Sequence, residues 1–323
     1  MNRALKNYLR LGFVKLFHLG QHLGFDILPR NSFYSEIPNI SRLRTTVHWR
    51  KPYSMIGVQG ADIDDQMSFV RDTVPAPMED RLRQGDIYQA ACKRNGEAGY
   101  GPIEADFLHA FIVRYQPPKI IQIGCGVSTA ICLTAAQEAG YKPEVTCIDP
   151  YPTEFLMDAG QKGEIRLIEK PVEVVDESLM SDLKSGDLFF CDSTHALGPQ
   201  GESSRIILEM LPRLAEGVYI HFHDIVFPFD YSGSILSEDL FFSHESVLLH
   251  AFLAYNPRIK ILASLSMLHH QKQSELARVL PHYKPAKHEE GIFIRMGHFP
   301  SSIFLRVVSS PAANSKPQES KDD

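Results

Sequence analysis

Two short clusters of acids and histidines stand where apolar runs end in the middle of the chain. The first is Asp192-Ser193-Thr194-His195, after a run at Asp187–Phe190, and the second is His223-Asp224, after Val218–Phe222. If these runs are adjacent parallel strands, both clusters reach the same edge of the sheet, where such sheets bind ligands. Imidazole beside carboxylates suits proton transfer near neutral pH and divalent metal binding.

Asp192, Asp224 and one histidine form a candidate metal set. Two carboxylates favour Mg²⁺ or Mn²⁺, and an added imidazole shifts the preference toward manganese, iron or zinc. His221 is left out of this set, because a histidine inside a strand is more often a hydrogen-bonded core residue. The direction of His223 stays open. Each acid also has a structural alternative: Asp224 caps the next turn, and Asp192 orients His195.

A glycine-rich turn precedes both clusters. Gly124 and Gly126 directly follow the apolar run Lys119–Ile123, and Asp149 ends the next run, Val145–Ile148. Glycine lets the chain turn sharply and lets a ligand approach the backbone. A carboxylate at the second strand end can accept both hydroxyls of a ribose. The pattern therefore predicts a nucleoside site, with a ligand-free strand–turn–helix as the alternative.

The turn departs from the dinucleotide pattern G-x-G-x-x-G, because Thr129 replaces the third glycine. The close helix approach that a pyrophosphate requires is then missing. S-adenosylmethionine, which has an adenosine but no phosphate, suits the turn better. Ser128 or Thr129 can cap the following helix, whose free N–H groups point at the ligand.

Strand-like and helix-like runs alternate from about residue 98 to about residue 308. This alternation predicts an α/β fold with a doubly wound, mostly parallel sheet and helices on both faces. Helices are expected at Ile103–Tyr115, at Ser128–Ala139 and around Ser204–Leu214.

Composition narrows the functional class. The chain has 323 residues, 44% of them hydrophobic and 22% charged, as in ordinary globular proteins. A net charge of -6 gives no basic field for nucleic acid. Five cysteines, without disulfide or zinc spacing, predict reduced thiols and a cytoplasmic location.

The first 25 residues alternate basic and apolar side chains. Arg10, Lys15 and His18 interrupt every apolar run, which argues against a signal peptide or a membrane span. Leucines lie along one helical stripe. We expect a helix that packs on the body of the protein, with a membrane-surface helix as the alternative.

Several segments together resemble a known family. They are IGCGVST, VTCIDPYP, SGDLFFCDSTH, EMLPRLAEGVYIHFHDIVFPFDY and HESVLLHAFLAYNPRIKIL, with GFDILPR and NSFYSEIP near the N-terminus. The chain resembles bacterial class I S-adenosylmethionine-dependent methyltransferases of the methyltransferase domain-24 family over roughly residues 20–308. It is more distantly similar to macrocin-type, metal-dependent sugar O-methyltransferases. The resemblance implies a Rossmann-like, seven-stranded sheet with a reversed last strand. Ile261–Leu265 would be the sixth strand and Ile303–Val307 the seventh, with Ile292–Met296 as an alternative seventh.

The resemblance also implies roles for individual residues. The implied catalytic residues are His195, as the general base, and Asp192, which would also bind the metal and contact the cofactor. His223-Asp224 would replace an acidic pair, giving the metal set Asp192, His223 and Asp224. The imidazole of His223 leaves the metal's identity and its use open. Gln122 stands where an acid often binds the cofactor's amino group. The implied cofactor-binding residues are Gln122, Gly124, Cys125, Gly126, Ser128, Thr129, Asp149 and Asp192.

The resulting functional prediction is S-adenosylmethionine-dependent O-methylation of a saccharide or related small molecule, with Mg²⁺ or Mn²⁺ as an optional cofactor. The alternatives are a non-catalytic S-adenosylmethionine-binding module, a nicotinamide-dependent oxidoreductase and a metal-free methyltransferase. A lid is expected from Phe227-Pro228-Phe229 and residues 231–242. The predicted organisation is a mainly helical N-terminal extension (residues 1–97), a methyltransferase domain (98–308) and a disordered tail (309–323). The acceptor and the oligomeric state are not specified by the sequence.

Overall fold

The protein is built around one seven-stranded sheet. A computed structural model describes residues 3–28, 36–46, 48–199, 201–231, 235–285 and 299–309. The strand order is β3-β2-β1-β4-β5-β7-β6, and only β7 runs antiparallel to its neighbours. This confirms the doubly wound, mostly parallel α/β fold. The strands are β1 (Lys119–Ile123), β2 (Glu144–Ile148), β3 (Arg166–Ile168), β4 (Leu188–Cys191), β5 (Tyr219–Phe222), β6 (Ile259–Ser264) and β7 (Ile303–Val307).

Twelve α-helices are found in the described residues. They are α1 (Arg3–His22), α2 (Ile40–Thr45), α3 (Ile63–Thr73), α4 (Ala76–Leu82), α5 (Ile87–Asn95), α6 (Pro102–Tyr115), α7 (Val127–Glu138), α8 (Glu154–Gln161), α9 (Glu202–Arg205), α10 (Glu245–Leu253), α11 (Leu265–Gln271) and α12 (Gln273–Val279). Short π- and 3₁₀-helical turns connect some of them.

The central strands carry a hydrophobic core on each face of the sheet. In β4, Leu188 and Phe190 join one core, while Phe189 and Cys191 join the other. Successive side chains of a strand point to opposite faces, so a strand covered on both sides needs an unbroken apolar run. This explains why the central strands could be predicted from the sequence.

Most predicted elements are found close to their expected limits. The helices predicted at Ile103–Tyr115 and Ser128–Ala139 both begin one residue earlier. Ile303–Val307 is the reversed seventh strand, as predicted. The alternative, Ile292–Met296, lies outside the described residues. The short strand β3 lacked a prediction, because three residues give too little pattern.

Two predictions of element limits were wrong. The helix expected around Ser204–Leu214 is divided into α9, a π-helical turn at Ile206–Met210 and a 3₁₀ turn at Leu211–Arg213. Pro212 has no N–H to donate, so a regular α-helix cannot continue through it. The sixth strand ends at Ser264, whose hydroxyl accepts from the Met267 N–H and caps α11. The strand therefore stops one residue before its predicted end.

The region 1–97 is attached to the sheet domain by its later helices. Helix α5 packs on α7, and α3 packs beside β6. The side-chain oxygen of Gln66, in α3, accepts the backbone N–H of Ser264 at 2.9 Å. These contacts place the α5–α6 connection above the carboxyl ends of the central strands, where it contributes to the site described below.

Helix α1, unlike the later helices of this region, does not pack on the sheet domain through the apolar side chains whose burial is described. The expectation that it packs on the body of the protein is wrong, because its apolar side chains from Leu9 to Leu19 are largely exposed. Residues 310–323 of the predicted tail lie outside the described residues. Among the helices that are described, none is long and apolar enough to cross a membrane.

Candidate active site

A cleft opens at the carboxyl ends of β1, β2 and β4. Its volume is about 370 Å³. Backbone and side chains from three strand ends form its floor, and the α5–α6 connection forms one wall. The lining residues are Asn95, Glu97, Ala98, Gly99, Tyr100, Ile123, Gly124, Cys125, Val127, Ser128, Ile148, Asp149, Pro150, Tyr151, Thr153, Val172, Asp192, Ser193, Thr194 and Glu202.

The turn after β1 depends on its two glycines. Gly124 has φ +74°, and a Cβ built there would lie 1.6 Å from the backbone oxygen of Asp192. Gly126 has φ +139°, and a Cβ there would lie 3.1 Å from the side-chain amide of Asn95. Both conformations favour glycine, and both contacts bring distant segments against the turn. The glycines therefore allow neighbouring segments to enclose the cleft.

The start of α7 differs from the predicted cap. Gly126 is the N-cap residue, and its backbone N–H donates to the hydroxyl of Thr129 at 3.2 Å. Thr129 thus occupies the third position of the helix and reaches back toward the cap. Thr129, which stands in place of the third glycine of the dinucleotide pattern, therefore uses its hydroxyl to close the turn.

Asp149 is fixed at the end of β2 by two backbone donors. Its carboxylate accepts the N–H of Cys125 at 3.2 Å and the N–H of Tyr151 at 2.8 Å. A carboxylate has about four acceptor positions, so capacity remains for ligand hydroxyls. The arrangement can bind a ribose diol beside the glycine turn.

The predicted cofactor residues divide into two groups. Five of them line the cleft: Gly124, Cys125, Ser128, Asp149 and Asp192. Gln122, Gly126 and Thr129 lie behind this lining. The Gln122 side chain is fully buried and donates to the hydroxyl of Ser128 at 3.4 Å. Gln122 therefore supports a lining residue in this structure.

Sequence reasoning missed Asn95, which ends α5 in the N-terminal region, and Tyr100, which lies in the connection between α5 and α6. Asn95 ends α5 and accepts a hydrogen bond from the hydroxyl of Thr153 at 2.9 Å. The ring of Tyr100 lies 4.9 Å from the ring of His223. The only sequence signal for Asn95 was its position before Gly96, which reads as a helix end.

Next to the cleft, the cluster Asp192–His195 lies beside the cluster His223-Asp224. The Nδ1 atom of His223 lies 3.1 Å from Asp192 and 3.6 Å from Asp224. The Nε2 atom of His195 lies 3.5 Å from Asp224 and 3.8 Å from Asp192. Potential ligand atoms of Asp192, His223 and Asp224 all lie within 4.8 Å of one another. The structure thus brings together the residues that the sequence analysis singled out.

A buried glutamate, which the sequence analysis did not identify, holds His195. The Nδ1 atom of His195 lies 2.6 Å from the carboxylate of Glu245, the first residue of α10, and Glu245 is fully buried. Ser243 joins the two residues, since its hydroxyl donates to the His195 carbonyl at 2.7 Å and accepts the Glu245 N–H at 3.1 Å. Glu245 lies in the segment HESVLLHAFL, where an acid before an apolar helix resembles ordinary helix-start chemistry.

Neighbouring carboxylates raise the pKa of both His195 and His223. Burial alone would lower the pKa of His195, but the hydrogen bond and charge of Glu245, with Asp224 and Asp192, raise it above the ordinary value. Burial also opposes charge on His223, yet Asp224 and Asp192 raise its pKa to about 10. At neutral pH, His223 is therefore an imidazolium between two carboxylates.

Another buried acid stands behind His223. Glu104, in the first turn of α6, accepts the backbone N–H of Ser301 at 2.9 Å. Burial raises the pKa of Glu104 to about 7, while His223 opposes that rise. The hydroxyl of Ser301 donates to Asp224 at 2.9 Å. The acidic cluster is thus supported from α6 and from the segment before β7.

Backbone strain marks the same two strand ends. His195 has φ +59° and Asp224 has φ +55°, both in the left-handed region. This conformation is uncommon for residues other than glycine, although aspartate and histidine adopt it more readily than most, and such strained residues cluster at functional sites. In this site it accompanies side chains that converge on one point.

His221 has the core role expected of it. It is fully buried, and its Nε2 atom lies 3.0 Å from the hydroxyl of Tyr100 and 3.0 Å from that of Ser302. Its ring stacks on Phe190 with centroids 4.3 Å apart. These contacts agree with the prediction that His221 is a hydrogen-bonded core residue.

Part of the segment that the sequence predicts as a lid covers His195. The ring of Phe241 lies edge-on to His195, with centroids 5.6 Å apart. The hydroxyl of Tyr231 donates to the Asp224 carbonyl at 2.7 Å. Phe227 is buried in the core, and residues 232–234 lie outside the described residues. The described part of the segment therefore places aromatic rings around the histidine–acid cluster.

Comparison with known proteins gives a family match across this site. Residues 121–225 match the model of a family described as "Methyltransferase domain". That range contains the glycine turn, Asp149 and both histidine–acid clusters. An uncharacterized protein of Archaeoglobus fulgidus is 27% identical over 195 residues, covering 55% of this chain and 82% of its own length.

Solved structures show looser likenesses. The O-methyltransferase TomG of Streptomyces achromogenes, in complex with S-adenosylmethionine, is 12% identical, with 70% of this chain and 89% of that chain covered and a TM-score of 0.42. The methyltransferase PaMTH1 of Podospora anserina, bound to S-adenosylhomocysteine, is 14% identical, with 88% and 99% covered and a TM-score of 0.38. At these identities and scores, the two proteins indicate nothing about the substrate of this chain. What this chain shares with a described family is the methyltransferase-domain match over residues 121–225.

Proposed function

We propose that the protein is an S-adenosylmethionine-dependent methyltransferase that methylates a hydroxyl group. One observation carries the proposal: a nucleoside-sized cleft with a fixed carboxylate, Asp149, adjoins a buried histidine–glutamate pair at the same sheet edge. The methyltransferase-domain match over residues 121–225 includes both the cleft's glycine turn and His195.

The histidine–glutamate pair supports a base role for His195. A carboxylate can only accept the hydrogen bond, so the proton sits on Nδ1 and the lone pair of Nε2 is left free. Nε2 is the atom that faces Asp192 and Asp224. A positioned acceptor hydroxyl would give its proton to Nε2 while its oxygen attacks the methyl group of the sulfonium. S-adenosylhomocysteine then leaves, and Glu245 stabilises the imidazolium.

The residues near Asp192 fit a divalent cation by type and position. Asp192, His223 and Asp224 offer two carboxylates and an imidazole within 4.8 Å. Because the pKa of His223 is raised to about 10, metal binding at neutral pH would have to displace its proton. A bound divalent ion would lower the pKa of a coordinated hydroxyl. Without an ion, the His223 imidazolium supplies a positive charge at the same place.

Removal of metal tests this role. If a divalent ion is used, a chelator should abolish methyl transfer, and Mg²⁺ or Mn²⁺ should restore it. Asp192→Asn and Asp224→Asn should each lose that restoration, because each removes an anionic ligand. Asp182→Asn, an exposed aspartate outside the cluster, is the matched control. Full activity of enzyme shown to be metal-free by elemental analysis would instead favour the metal-free mechanism.

The acceptor that suits this site is polyhydroxylated. The Asp224 side chain is 40% exposed beside the buried base, so a carboxylate lies where an acceptor would enter. Carboxylates bind the vicinal hydroxyls of sugars well, and such contacts orient one hydroxyl toward a base. We therefore propose a saccharide or a related small molecule as substrate. Methyl transfer from labelled S-adenosylmethionine to a panel of saccharides, with amines and thiols for comparison, tests this assignment.

Asp149 provides the test of the cofactor. Asp149→Ala should weaken binding of S-adenosylhomocysteine by roughly 2–3 kcal/mol, the scale of charge-assisted hydrogen bonds. Isothermal calorimetry measures the affinity, and thermal unfolding shows whether the variant is folded. Asp182→Ala serves as a control for loss of an aspartate. Unchanged affinity in a folded Asp149→Ala protein would exclude this carboxylate from ribose binding.

A further inference from the structure

Helix α1 exposes an apolar face that nothing in the described structure covers. Leu9, Phe13, Leu16 and Leu19 follow the spacing of one helical stripe, and each is between 41% and 55% exposed. Within the part of α1 whose burial is described, from Leu9 onward, only Gly20 is buried. Removing large apolar side chains from water is favourable, so binding of this face to a partner would lower the free energy of the protein.

The chain after α1 extends the same surface. It turns back at Gly20, where the Phe25 N–H donates to the Gly20 carbonyl at 2.8 Å. Phe25 is 67% exposed, and Ile27 and Leu28 are also largely exposed. The apolar surface is therefore continuous from the helix into the turn that follows it.

The charge of this segment is opposite to that of the rest of the chain. Residues 1–25 contain Arg3, Lys6, Arg10 and Lys15 and no aspartate or glutamate, whereas the whole chain has a net charge of -6. At 100° per residue, Arg10 and Lys15 fall on the two flanks of the leucine stripe. The helix thus carries an apolar stripe with one basic residue on each flank, although Leu11 and Val14 on the opposite side are also exposed.

We propose that α1 and residues 25–28 bind an anionic lipid surface. An apolar face between basic flanks is the pattern of helices that lie in the membrane interface, with leucine and phenylalanine among the acyl chains and Lys or Arg near the headgroups. A second copy of the chain fits less well, because α1 and residues 25–28 contain four basic residues and a single acid, Asp26, so pairing two such segments would bring like charges together. The inference concerns a surface away from the cleft and goes beyond the proposed methyl transfer.

Vesicle binding by the full-length protein tests the inference. Wild-type protein should co-float with vesicles containing phosphatidylglycerol and bind poorly to vesicles of phosphatidylcholine alone. Raising the salt from 0.05 to 0.5 M should weaken this binding, because screening shortens the reach of the charges. Arg10→Glu/Lys15→Glu should lower the partition coefficient at least ~25-fold, since each basic residue near an anionic surface contributes about 1 kcal/mol. Lys51→Glu/Lys184→Glu, at exposed sites elsewhere, is the charge-matched control.

The apolar face needs its own variant. Leu9→Glu/Leu16→Glu should abolish vesicle binding and leave the thermal unfolding temperature unchanged, because neither side chain is part of a core. Leu208→Glu, at another exposed leucine, should bind as the wild type does. Wild-type binding by the Leu9→Glu/Leu16→Glu protein would overturn the proposal. The proposal would also be wrong if neither protein bound vesicles and sedimentation showed that the wild-type protein self-associates while this variant does not.

Discussion

His195→Ala should lower kcat by about 10²–10⁴-fold, the usual contribution of a positioned general base. The measurement uses the acceptor that the panel of saccharides, amines and thiols identifies for the wild-type protein, with saturating S-adenosylmethionine. Affinity for S-adenosylhomocysteine should stay nearly unchanged, because His195 does not line the cleft beside the glycine turn, where we propose that the cofactor binds. A loss confined to kcat would show that the residue acts in the transition state.

The pH dependence gives an independent signature of this base. Only neutral imidazole can accept a proton, so the rate should rise with pH through the pKa of His195. Since Glu245, Asp224 and Asp192 together raise that pKa above its ordinary value, the rise should be centred above pH 6.5. This limb should disappear in His195→Ala.

Two further variants separate catalysis from structural support. His195→Gln keeps a side-chain donor for Glu245 but cannot act as a base, so it should lose turnover while retaining stability. Glu245→Gln removes the charge that raises the pKa, so the surviving pH limb should move to lower pH and kcat should also fall. A stable His195→Gln enzyme with wild-type kcat and pH profile would remove His195 from the mechanism.

The site residues that directly follow a strand could be predicted from the sequence. Asp149, Asp192 and Asp224 each stand after an apolar run, and parallel strands bring their carboxyl ends to one edge. The sequence could thus place three carboxylates together without knowledge of side-chain directions. The grouping of Asp192 and Asp224 around His223 follows from that arrangement.

Residues that approach from other elements were not predictable in this way. Glu245 reaches His195 across 50 residues of chain, from the start of a helix whose sequence looks like any acidic helix start. Asn95 reaches the glycine turn from the N-terminal region. Such contacts depend on how helices dock on the sheet, and a single sequence carries little information about docking.

Side-chain direction also limited the prediction. Gln122 stands two residues before Gly124, at a position associated with cofactor binding in the resembling family. In the structure its strand position sends the side chain into the core, where it contacts Ser128. For α1, the spacing of leucines predicted an amphipathic helix correctly, but a periodic pattern cannot say what its apolar face will cover.

A substitution in the glycine turn should reduce both the stability of the protein and its binding of S-adenosylhomocysteine. Gly124→Ala should destabilise the protein by about 2–5 kcal/mol. A left-handed conformation costs a non-glycine residue roughly 1–2 kcal/mol, and forcing atoms into a packed site typically costs a further 1–3 kcal/mol. The added Cβ would meet the Asp192 carbonyl at 1.6 Å, so relief of the collision must move the backbone that holds Asp192. Binding of S-adenosylhomocysteine should therefore be lost even where the variant remains folded.

Gly140→Ala is a control that measures the cost of the backbone conformation without a steric collision. Gly140 has φ +73°, almost the same as Gly124, but a Cβ there meets no atom within 4 Å. This variant should lose only about 1–2 kcal/mol and should bind S-adenosylhomocysteine normally. Urea denaturation with unchanged m-values compares the two free energies of unfolding. Equal losses in both variants would mean that the backbone of Asp192 yields easily, and the proposed rigid placement of Asp192 beside the cleft would then be wrong.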